Sequence, residues 1–337
     1  MARILYSRSD ALIVGAIDTD DAKIGKNLKD LIRIDDQGAD VVVSRDAEAV
    51  LSDSDADIAL LSTTAFAQEA EPLISSCLGR GLSVLGIVQE LFFPVGPVCN
   101  VARRVDKAAR AAGRSVAAVG INPGFIMDLL PLVCTTPCAK IARIEVERNV
   151  DFSPYGPDEM VHIGAGLTAK EFAEGAAAGY IGHIGLVETA AFVAQGAGLK
   201  VDRLVQTKEA LLAKTVRKTS FLEVQPGRVC GFRQYVSGYR DGDVVLNFKM
   251  NGVLDPNADE DGFQLGDHAR IHGDPNVDIQ VRREVSSKGG VGTAAVAVNT
   301  IPRLLAAAPG FHTTLDLGFP KMWTGASDVL IDCMIEK

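Results

Sequence analysis

Short apolar runs alternate with helical patterns over the first third of the chain, and this alternation constrains the fold more than any other feature. Apolar runs of strand length fall at residues 12–17, 40–44, 58–61, 84–88 and 116–121. Helical patterns separate them at residues 22–31, 46–51, 68–79 and 97–112. Strands that alternate with helices are typical of βαβ units. The pattern therefore predicts an α/β fold with a doubly wound parallel sheet.

Polar residues follow the ends of four of these predicted strands. They are Asp18 and Thr19, Ser62, Thr63 and Thr64, Gln89 and Glu90, and Asn122 and Pro123. In an open parallel sheet, ligands bind in the crevice outside the carboxyl ends of the strands. The sequence therefore predicts a ligand site along this edge of the sheet.

The first two clusters suit the adenosine and phosphate parts of a dinucleotide. The Asp18 carboxylate can accept hydrogen bonds from a ribose diol, or it can cap the helix that follows. Its charge favours NAD over NADP, although Thr19 and nearby lysines could soften that preference. Ser62, Thr63 and Thr64 offer hydroxyl groups and amides to the phosphates and the nicotinamide ribose, or they begin the next helix.

The later clusters suit the nicotinamide end of the same cofactor. The Asn122 amide or its neighbouring backbone could bind the nicotinamide carboxamide, with Pro123 fixing the loop. A plain turn is the alternative. Gln89 completes the set of predicted cofactor-binding residues.

The glycine-rich loop of a dinucleotide-binding sheet is missing from this pattern. Such a sheet begins with a strand, then G-x-G-x-x-G at the start of a helix, then a strand that ends in an acid. Residues 2–12 have the pattern of the end of a first helix, and residues 12–17 with Asp18 that of the second strand and its acid. Residues 175–185 are glycine-rich, but no apolar strand leads into them. We therefore expect a Rossmann-like sheet without its first strand and Gly-rich loop.

A different pattern begins after residue 128. Residues 140–152 alternate like a half-solvated strand, two helical patterns follow, and mostly extended segments continue to residue 285. This predicts a second α+β domain with a mixed or antiparallel sheet, while a helix at residues 292–308 packs back on the first domain. We predict a dinucleotide-binding domain of residues 1–128, completed by 290–337, and a substrate-binding and dimerisation domain of residues 129–289.

Charge and composition disfavour several classes of protein. The net charge of −9 argues against a nucleic-acid groove. No apolar run reaches the roughly 20 residues of a membrane helix, and the first residues do not resemble a signal peptide. The six cysteines lack the spacing of a zinc site, so we expect no metal and free thiols in the reducing cytoplasm.

Five sequence stretches together resemble one family of oxidoreductases. They are GAID at residues 15–18, STT at 62–64, VQELFFP at 88–94, GINPGFIMD at 120–128 and GHIGLVE at 182–188. They look like the native amine dehydrogenases and 2,4-diaminopentanoate dehydrogenases, which share their architecture with dihydrodipicolinate reductase. The resemblance covers the chain from residue 10 to about residue 320. The Gly-rich loop is its clear departure from the family.

The resemblance implies an NAD(P)-dependent amine dehydrogenase that uses NADP or NAD, and it places the family's catalytic glutamate on Glu90. The residues themselves agree, because Glu90 follows an apolar strand and precedes an aromatic run. A carboxyl group there can accept a proton from ammonium and protonate the departing hydroxyl of a carbinolamine. Its anion can stabilise the iminium that receives the hydride. A solvent-facing glutamate or a helix cap is the structural alternative.

Four residues are candidates for substrate contacts. Phe125 and Tyr155 could form apolar walls, although core packing is the commoner fate of such residues. Arg148 could pair with a substrate carboxylate, as a diaminopentanoate would require, or face solvent or an interface. His183 could contact substrate, pair with Glu188 at a helix start, or be a structural histidine.

The partners that we expect are a small ketone or aldehyde, the corresponding amine, ammonia and a second copy of the chain. The extended segments of the second domain leave sheet edges that a homodimer could cover. Two alternatives stay open. One is another NAD(P)-dependent oxidoreductase of the same architecture, acting on an alcohol or a cyclic imine. The other is a non-catalytic small-molecule-binding protein.

Overall fold

The alternating pattern of the first third folds into short parallel strands and intervening helices. The computed structural model describes residues 1–35, 38–52, 55–282 and 290–323. The elements of the first domain are, in chain order, α1 (Ala2–Tyr6), β1 (Ala16–Ile17), α2 (Leu28–Ile32), β2 (Val43–Ser44), α3 (Ala47–Ser52), β3 (Ile58–Leu61), α4 (Ala67–Gly79), β4 (Ser83–Gly86), α5 (Val98–Ala112) and β5 (Ser115–Ala118). A 3-10 turn, Gln89–Leu91, follows β4.

The second half of the chain is richer in long strands, as its alternation predicts. It consists of α6 (Leu129–Val133), β6 (Lys140–Asp151), α7 (Pro157–His162), α8 (Ala169–Ala178), α9 (Leu186–Gly196), β7 (Arg203–Leu212), β8 (Arg217–Lys218), β9 (Glu223–Val224), β10 (Val229–Arg240), β11 (Asp243–Val253), α10 (Ala258–Asp261), β12 (Gly266–Asp274) and β13 (Val277–Val281). The chain then continues with α11 (Val291–Leu305), β14 (Gly310–His312) and α12 (Thr314–Leu317).

The four-stranded sheet of the first domain is parallel throughout, with strand order β14-β5-β4-β3. Its central strands are apolar on both faces because both faces are covered. Val84 and Val116 pack against α4 and α5, whereas Leu85 and Ala117 pack against α11. The fold of this domain is therefore a doubly wound, Rossmann-type sheet, and residues 290–323 return to it.

The strands β1 and β2 form a separate parallel pair, in which Ala16 lies opposite Val43. In the described part of the chain, no strand joins this pair to β3. The Rossmann strand order places its first strand between the second and the fourth. The interruption therefore lies where the sequence pattern lacks a first strand and its Gly-rich loop.

The second sheet has six strands in the order β13-β12-β6-β11-β10-β7. Only the pairing of β6 with β11 is parallel, so the sheet is mixed, as predicted. The helices α8 and α9 pack on it and enclose the largest apolar core. Asp241 and Gly242, both with positive φ, form the hairpin turn between β10 and β11.

Three predicted elements are much shorter in the structure, and one of them is the strand predicted at residues 40–44, which is confined to Val43–Ser44. The helix predicted at residues 22–31 is confined to Leu28–Ile32, because the Asn27 side chain accepts the Lys29 N–H at 2.9 Å and begins the helix there. The strand predicted at residues 12–17 is confined to Ala16–Ile17, because β2, its one partner among the described residues, pairs with only those two.

Candidate active site

A cavity of about 350 Å³ opens where the two domains meet at the carboxyl ends of β4 and β5. Gln89 and Phe92 line it from the segment after β4, and Asn122 and Pro123 from the loop after β5. Tyr155 adds a wall from the second domain. The predicted edge of the sheet therefore does form a cavity, at the place where doubly wound folds bind ligands.

Glu90 lies in the 3-10 turn, between Gln89 and Leu91 and close to the cavity wall. Its Oε2 accepts a hydrogen bond of 2.8 Å from the backbone N–H of Ala67, the first residue of α4. The Glu90 N–H donates to the carbonyl of Ala65 at 3.2 Å. The positive end of a helix dipole favours a carboxylate at this position. The side chain is thus a helix cap, and Glu90 does not itself line the cavity, whereas Gln89 and Phe92 on either side of it do.

Glu188, on the first turn of α9, is a buried carboxyl group near Glu90 that the sequence analysis did not assign to the site. Only 9% of its surface is exposed. Burial, and to a smaller extent the nearby Glu90 carboxylate, raise the pKa of Glu188 to about 7. Its place in the GHIGLVE stretch, three residues after Gly185, is the signal that could have identified it.

Asn122 lines the cavity and is held from behind by a buried chain of polar groups. Its Nδ2 lies 3.0 Å from Nε2 of His183 and 3.4 Å from Sδ of Met250. Its Oδ1 is buried and has no hydrogen-bond partner among the described residues. A buried oxygen without a partner is costly, so a bound ligand that donates to it would be favoured.

His183 reaches Asn122 because Gln234 fixes its backbone. The Gln234 amide accepts the His183 N–H and donates to the His183 carbonyl, both at 2.8 Å. Gln234 also donates to Oε1 of Gln206 at 2.8 Å. Burial is the main cause that lowers the pKa of His183 to about 3, and the nearby charges of Arg148 and Lys208 act in the same direction. The ring is therefore neutral, and its Nε2 can accept from Asn122.

The loop after β5 depends on two glycines and one buried aspartate. A Cβ atom at Gly124, whose φ is +134°, would stand 2.3 Å from the Gly120 carbonyl oxygen. Asp128 accepts the Gly124 N–H at 2.8 Å and the Thr189 hydroxyl at 3.3 Å. Burial raises the pKa of Asp128 to about 6, against these hydrogen bonds. Asp128 therefore ties the Asn122 loop to α9.

The predicted adenosine and phosphate contacts lie outside the cavity wall. Asp18 is partly exposed and forms an ion pair of 2.7 Å with Lys23, which holds the pKa of Asp18 below its usual value. The Thr19 carbonyl accepts from Arg45 at 3.3 Å. Both residues follow β1, at the carboxyl edge where the sequence places them.

The Ser62–Thr64 cluster follows β3 and leads into α4. Ser62 and Thr63 are exposed. The Thr64 hydroxyl donates to Oε2 of Glu69 at 2.5 Å and accepts the Phe66 N–H at 3.2 Å. The hydroxyl of Thr64 thus supports the start of the helix, whereas the other two side chains remain open to solvent.

Three of the four predicted substrate residues, Phe125, Arg148 and His183, do not line the cavity. Arg148 is 2% exposed, and its Nη1 donates to Oδ1 of the buried Asp267 at 2.8 Å. This ion pair leaves the predicted contact between Arg148 and a substrate carboxylate without support. Phe125 packs against the core of the second domain. Tyr155 does line the cavity, and its ring centroid lies 5.2 Å from that of Phe152.

The start of α11 supplies a part of the cavity that the sequence analysis missed. Gly290, Thr293 and Ala294 line it, and the Thr293 hydroxyl accepts the Ile121 N–H at 3.4 Å. Met1 also lines the cavity. The sequence does predict that this helix returns to the first domain. It does not indicate which end of the helix reaches the cavity.

No helix in the described ranges is long and apolar enough to cross a membrane. No group of three or more His, Cys, Asp or Glu side chains in the same ranges is arranged to hold a metal ion.

The chain is similar to known proteins along nearly its whole length. Residues 125–332 match the family model of the 2,4-diaminopentanoate dehydrogenase C-terminal domain. A curated 2,4-diaminopentanoate dehydrogenase from Acetoanaerobium sticklandii is 31% identical over 327 residues, which are 96% of this chain and 91% of that protein.

Solved structures share the fold. An amine dehydrogenase from Mycobacterium smegmatis superposes with a TM-score of 0.85 at 21% identity, over 96% of this chain and 93% of that one. A probable dehydrogenase from Thermotoga maritima gives a TM-score of 0.58 at 11% identity, over 94% and 88% of the two chains. At these identities, the superpositions establish the two-domain fold.

Proposed function

The chain belongs to the 2,4-diaminopentanoate dehydrogenase family and is an NAD(P)-dependent oxidoreductase acting on CH–NH2 groups, and from this premise we propose its reaction and the residues that perform it. The reaction is the reductive amination of a small ketone or aldehyde with ammonia, and in reverse the oxidative deamination of the amine. Glu90 is the acid and base. The observation that carries this proposal is the Glu90 carboxylate, fixed by Ala67 in a turn whose residues Gln89 and Phe92 line the cavity at the sheet edge.

The cavity fits the nicotinamide end of the cofactor. The buried Oδ1 of Asn122 has no partner among the described residues, and a carboxamide N–H is a suitable donor to it. Gln89 and Pro123 flank Asn122 in the cavity wall and would border the same group. When bound, the reduced nicotinamide supplies the hydride that the iminium carbon accepts.

The remaining cofactor residues are assigned by position along the sheet edge. Asp18 and Thr19, after β1, would hold the adenosine ribose. Ser62, Thr63 and Thr64, after β3, would lie along the phosphates and the nicotinamide ribose. The exposure of Ser62 and Thr63 supports this, because both side chains are available to a ligand.

Glu90 takes part in two proton transfers of the reaction. The Glu90 carboxylate accepts a proton from ammonium, and the ammonia that forms adds to the carbonyl carbon while one of its protons passes to the carbonyl oxygen, which gives the neutral carbinolamine. The resulting carboxylic acid returns the proton to the hydroxyl of the carbinolamine, the C–O bond breaks, and water leaves. The regenerated carboxylate then stabilises the positive charge of the iminium. Glu90 thus ends each turnover in the state in which it began.

The substrate occupies the apolar end of the cavity in this proposal. Tyr155 and Phe92 offer aromatic walls, which suit a small hydrocarbon chain. His183 is neutral and bound to Asn122, so it positions that residue. Because Asp267 holds the guanidinium of Arg148, a carboxylate-free ketone or aldehyde is the substrate that we propose.

We also propose a homodimer in the cytoplasm. The strands β7 and β13 are the edges of the six-stranded sheet, and a second copy could cover such an edge. The five described cysteines are free thiols, which agrees with a reducing compartment. Sedimentation that shows only monomer at micromolar concentration would contradict the dimer, and recovery of the native enzyme outside the cytoplasmic fraction would contradict the location.

Ammonia-dependent oxidation of the cofactor tests the proposed reaction. The purified chain is mixed with NADH or NADPH, cyclohexanone or a short aldehyde, and excess ammonium at about pH 9. We expect oxidation only when carbonyl and ammonium are both present, and loss of it in Glu90→Gln. Glu174→Gln, at an exposed position on α8, is the matched control.

Each other outcome of this assay is informative. Oxidation with the carbonyl compound alone would indicate an alcohol dehydrogenase of the same architecture. A Glu90→Gln variant with wild-type turnover would remove Glu90 from the chemistry while leaving the family assignment intact.

A further inference from the structure

Helix α9 packs directly on the segment that carries Glu90. A Cβ atom at Gly185, the residue before the helix, would stand 2.8 Å from Cγ of Pro123 and 3.4 Å from Cβ of Gln89. Two turns further along, the Phe192 ring lies 4.9 Å from that of Phe92 and 5.7 Å from that of Phe93, between centroids. The helix therefore contacts the segment 89–93 on both sides of Glu90.

Glu188 occupies the interval between these two contacts. Residues 185, 188 and 192 are spaced i, i+3 and i+7, which places them on one face of a helix. Gly185 meets Gln89 and Phe192 meets Phe92, so the position between them faces the turn that holds Glu90. Glu188 is 91% buried by this packing, since 9% of its surface remains exposed.

We propose that Glu188 is a positioning residue that forms a coupled carboxyl pair with Glu90 and sets how tightly Glu90 binds its catalytic proton. This inference rests on the proposed function, in which Glu90 is the acid and base. Glu188 is buried and Glu90 is half-buried, so the two carboxylates repel each other when both are ionised. The effect of Glu90 on the pKa of Glu188, raised to about 7 mainly by burial, agrees with this coupling.

Other ionisable groups surround the same helix turn and define the electrostatic setting. Asp128, before α6, accepts from Thr189, the neighbour of Glu188. His183, before α9, is neutral because its pKa is lowered to about 3. Arg148, on β6, is paired with Asp267, and Lys208, on β7, donates to the carbonyl of Ile181 at 2.7 Å. Of these charges, that of Glu90 is the one that shifts the pKa of Glu188.

The coupling matters for reductive amination because the reaction needs an acid under alkaline conditions. Free ammonia is the nucleophile, and its share of total ammonium grows as the pH rises. The acid form of Glu90 must nevertheless expel water from the carbinolamine. Coupling is reciprocal, so the charge that Glu188 acquires above about pH 7 strengthens the hold of Glu90 on that proton. Glu188 thereby extends the acid step to higher pH.

A double-mutant cycle in unfolding experiments tests the pair without any substrate. Wild type, Glu90→Gln, Glu188→Gln and the double variant are unfolded thermally at about pH 6 and about pH 9. Glu188 is ionised at the higher pH and not at the lower one, because its pKa is about 7. We therefore expect the Tm of Glu90→Gln, relative to wild type, to rise by about 1–3 °C between the two pH values. We expect no such rise in the Glu188→Gln background.

The pH dependence of turnover gives the second readout. In wild type, kcat should show an inflection near pH 7, and Glu188→Gln should abolish it while changing KM less than about twofold. A purely structural role would lower activity equally at every pH. An identical Tm difference at both pH values, with or without Glu188, overturns the coupling even if Glu90 proves catalytic.

The two proposals fail in different ways. If Glu188→Gln does not fold, the comparison of Glu90→Gln with wild type still decides the coupling, because it needs no second variant. If the chain oxidises no nicotinamide cofactor, the Tm cycle still reports on the pair. Glu174→Gln should show the same Tm difference from wild type at both pH values.

Discussion

The Glu90 carboxylate accepts a 2.8 Å hydrogen bond from the backbone N–H of Ala67, so one side chain from the turn after β4 begins the helix after β3. Phe66, the residue before the helix, provides no side-chain cap of its own. The predicted alternatives for Glu90, catalysis and helix capping, are therefore compatible. A cap holds the carboxylate in one orientation, which a group that transfers protons at a defined atom requires.

This double role predicts different effects of two substitutions. Glu90→Ala removes both the carboxyl group and the cap, so we expect a loss of about 1 kcal/mol in the free energy of unfolding. Glu90→Gln keeps an amide oxygen that can accept the Ala67 N–H, so we expect most of that stability to remain. Both variants should lose at least about 100-fold in kcat. Urea unfolding and steady-state assays measure the two effects, and equal stability of both variants would argue against the cap.

Asn122 should contribute to cofactor binding more than to stability. Asn122→Ala removes the buried oxygen that has no partner among the described residues. We expect the KM for the reduced cofactor to rise about tenfold, the equivalent of one hydrogen bond, with little change in the KM for the carbonyl substrate. Isothermal titration with the oxidised cofactor provides a direct check. Unchanged affinity would remove Asn122 from the cofactor site.

Arg148 and Asp267 should behave as a structural ion pair. Arg148→Met leaves the Asp267 carboxylate buried beside an apolar side chain, and such single losses cost about 3–5 kcal/mol. Adding Asp267→Leu should recover a large part of that loss. Chemical denaturation of wild type and the two variants measures these changes in the free energy of unfolding. An Arg148→Met variant of normal stability, with a raised KM only for carboxylate-bearing substrates, would restore the substrate role that the sequence suggested.

The sequence pattern predicts the edge of the sheet well because that prediction needs only local information. Gln89, Asn122 and Pro123 were placed at strand ends by the apolar runs before them, and all three line the cavity. Tyr155 was identified as a wall on residue type and position alone. The boundaries of helices α8 and α9 also follow from their local periodicity.

The contacts that were missed join residues far apart in the chain. Asp267 faces Arg148 only because β12 pairs with β6 in one register, 119 residues apart. Glu188 reaches Glu90 only because α9 crosses the turn after β4, which no periodicity in either segment indicates. Register and helix packing are decided by the whole core, so single-segment patterns do not reveal them.

His183 should make the protein lose stability on acidification. Its pKa is about 3 in the folded protein and 6.5 as its ordinary value, so the unfolded chain binds more protons between these values. The stability contributed by the neutral ring is therefore present above pH 6.5 and is lost as the pH falls toward 3. The buried carboxyl groups of Asp128 and Glu188 act in the opposite direction, since their pKa values are raised.

Comparing the stability of a His183 variant with that of wild type at several pH values separates the effect of the histidine from that of these carboxyl groups. His183→Gln should be less stable than wild type at about pH 7, and this deficit should shrink as the pH falls toward about 4. His312→Gln, near the end of β14, is the matched control, whose difference from wild type should not shrink in this way. A deficit of His183→Gln that stays constant with pH would mean that the ring has the same pKa in the folded and unfolded chain, and a deficit that grows on acidification would mean that folding favours the protonated ring. Either result would contradict the lowered pKa that supports His183 as the neutral acceptor from Asn122.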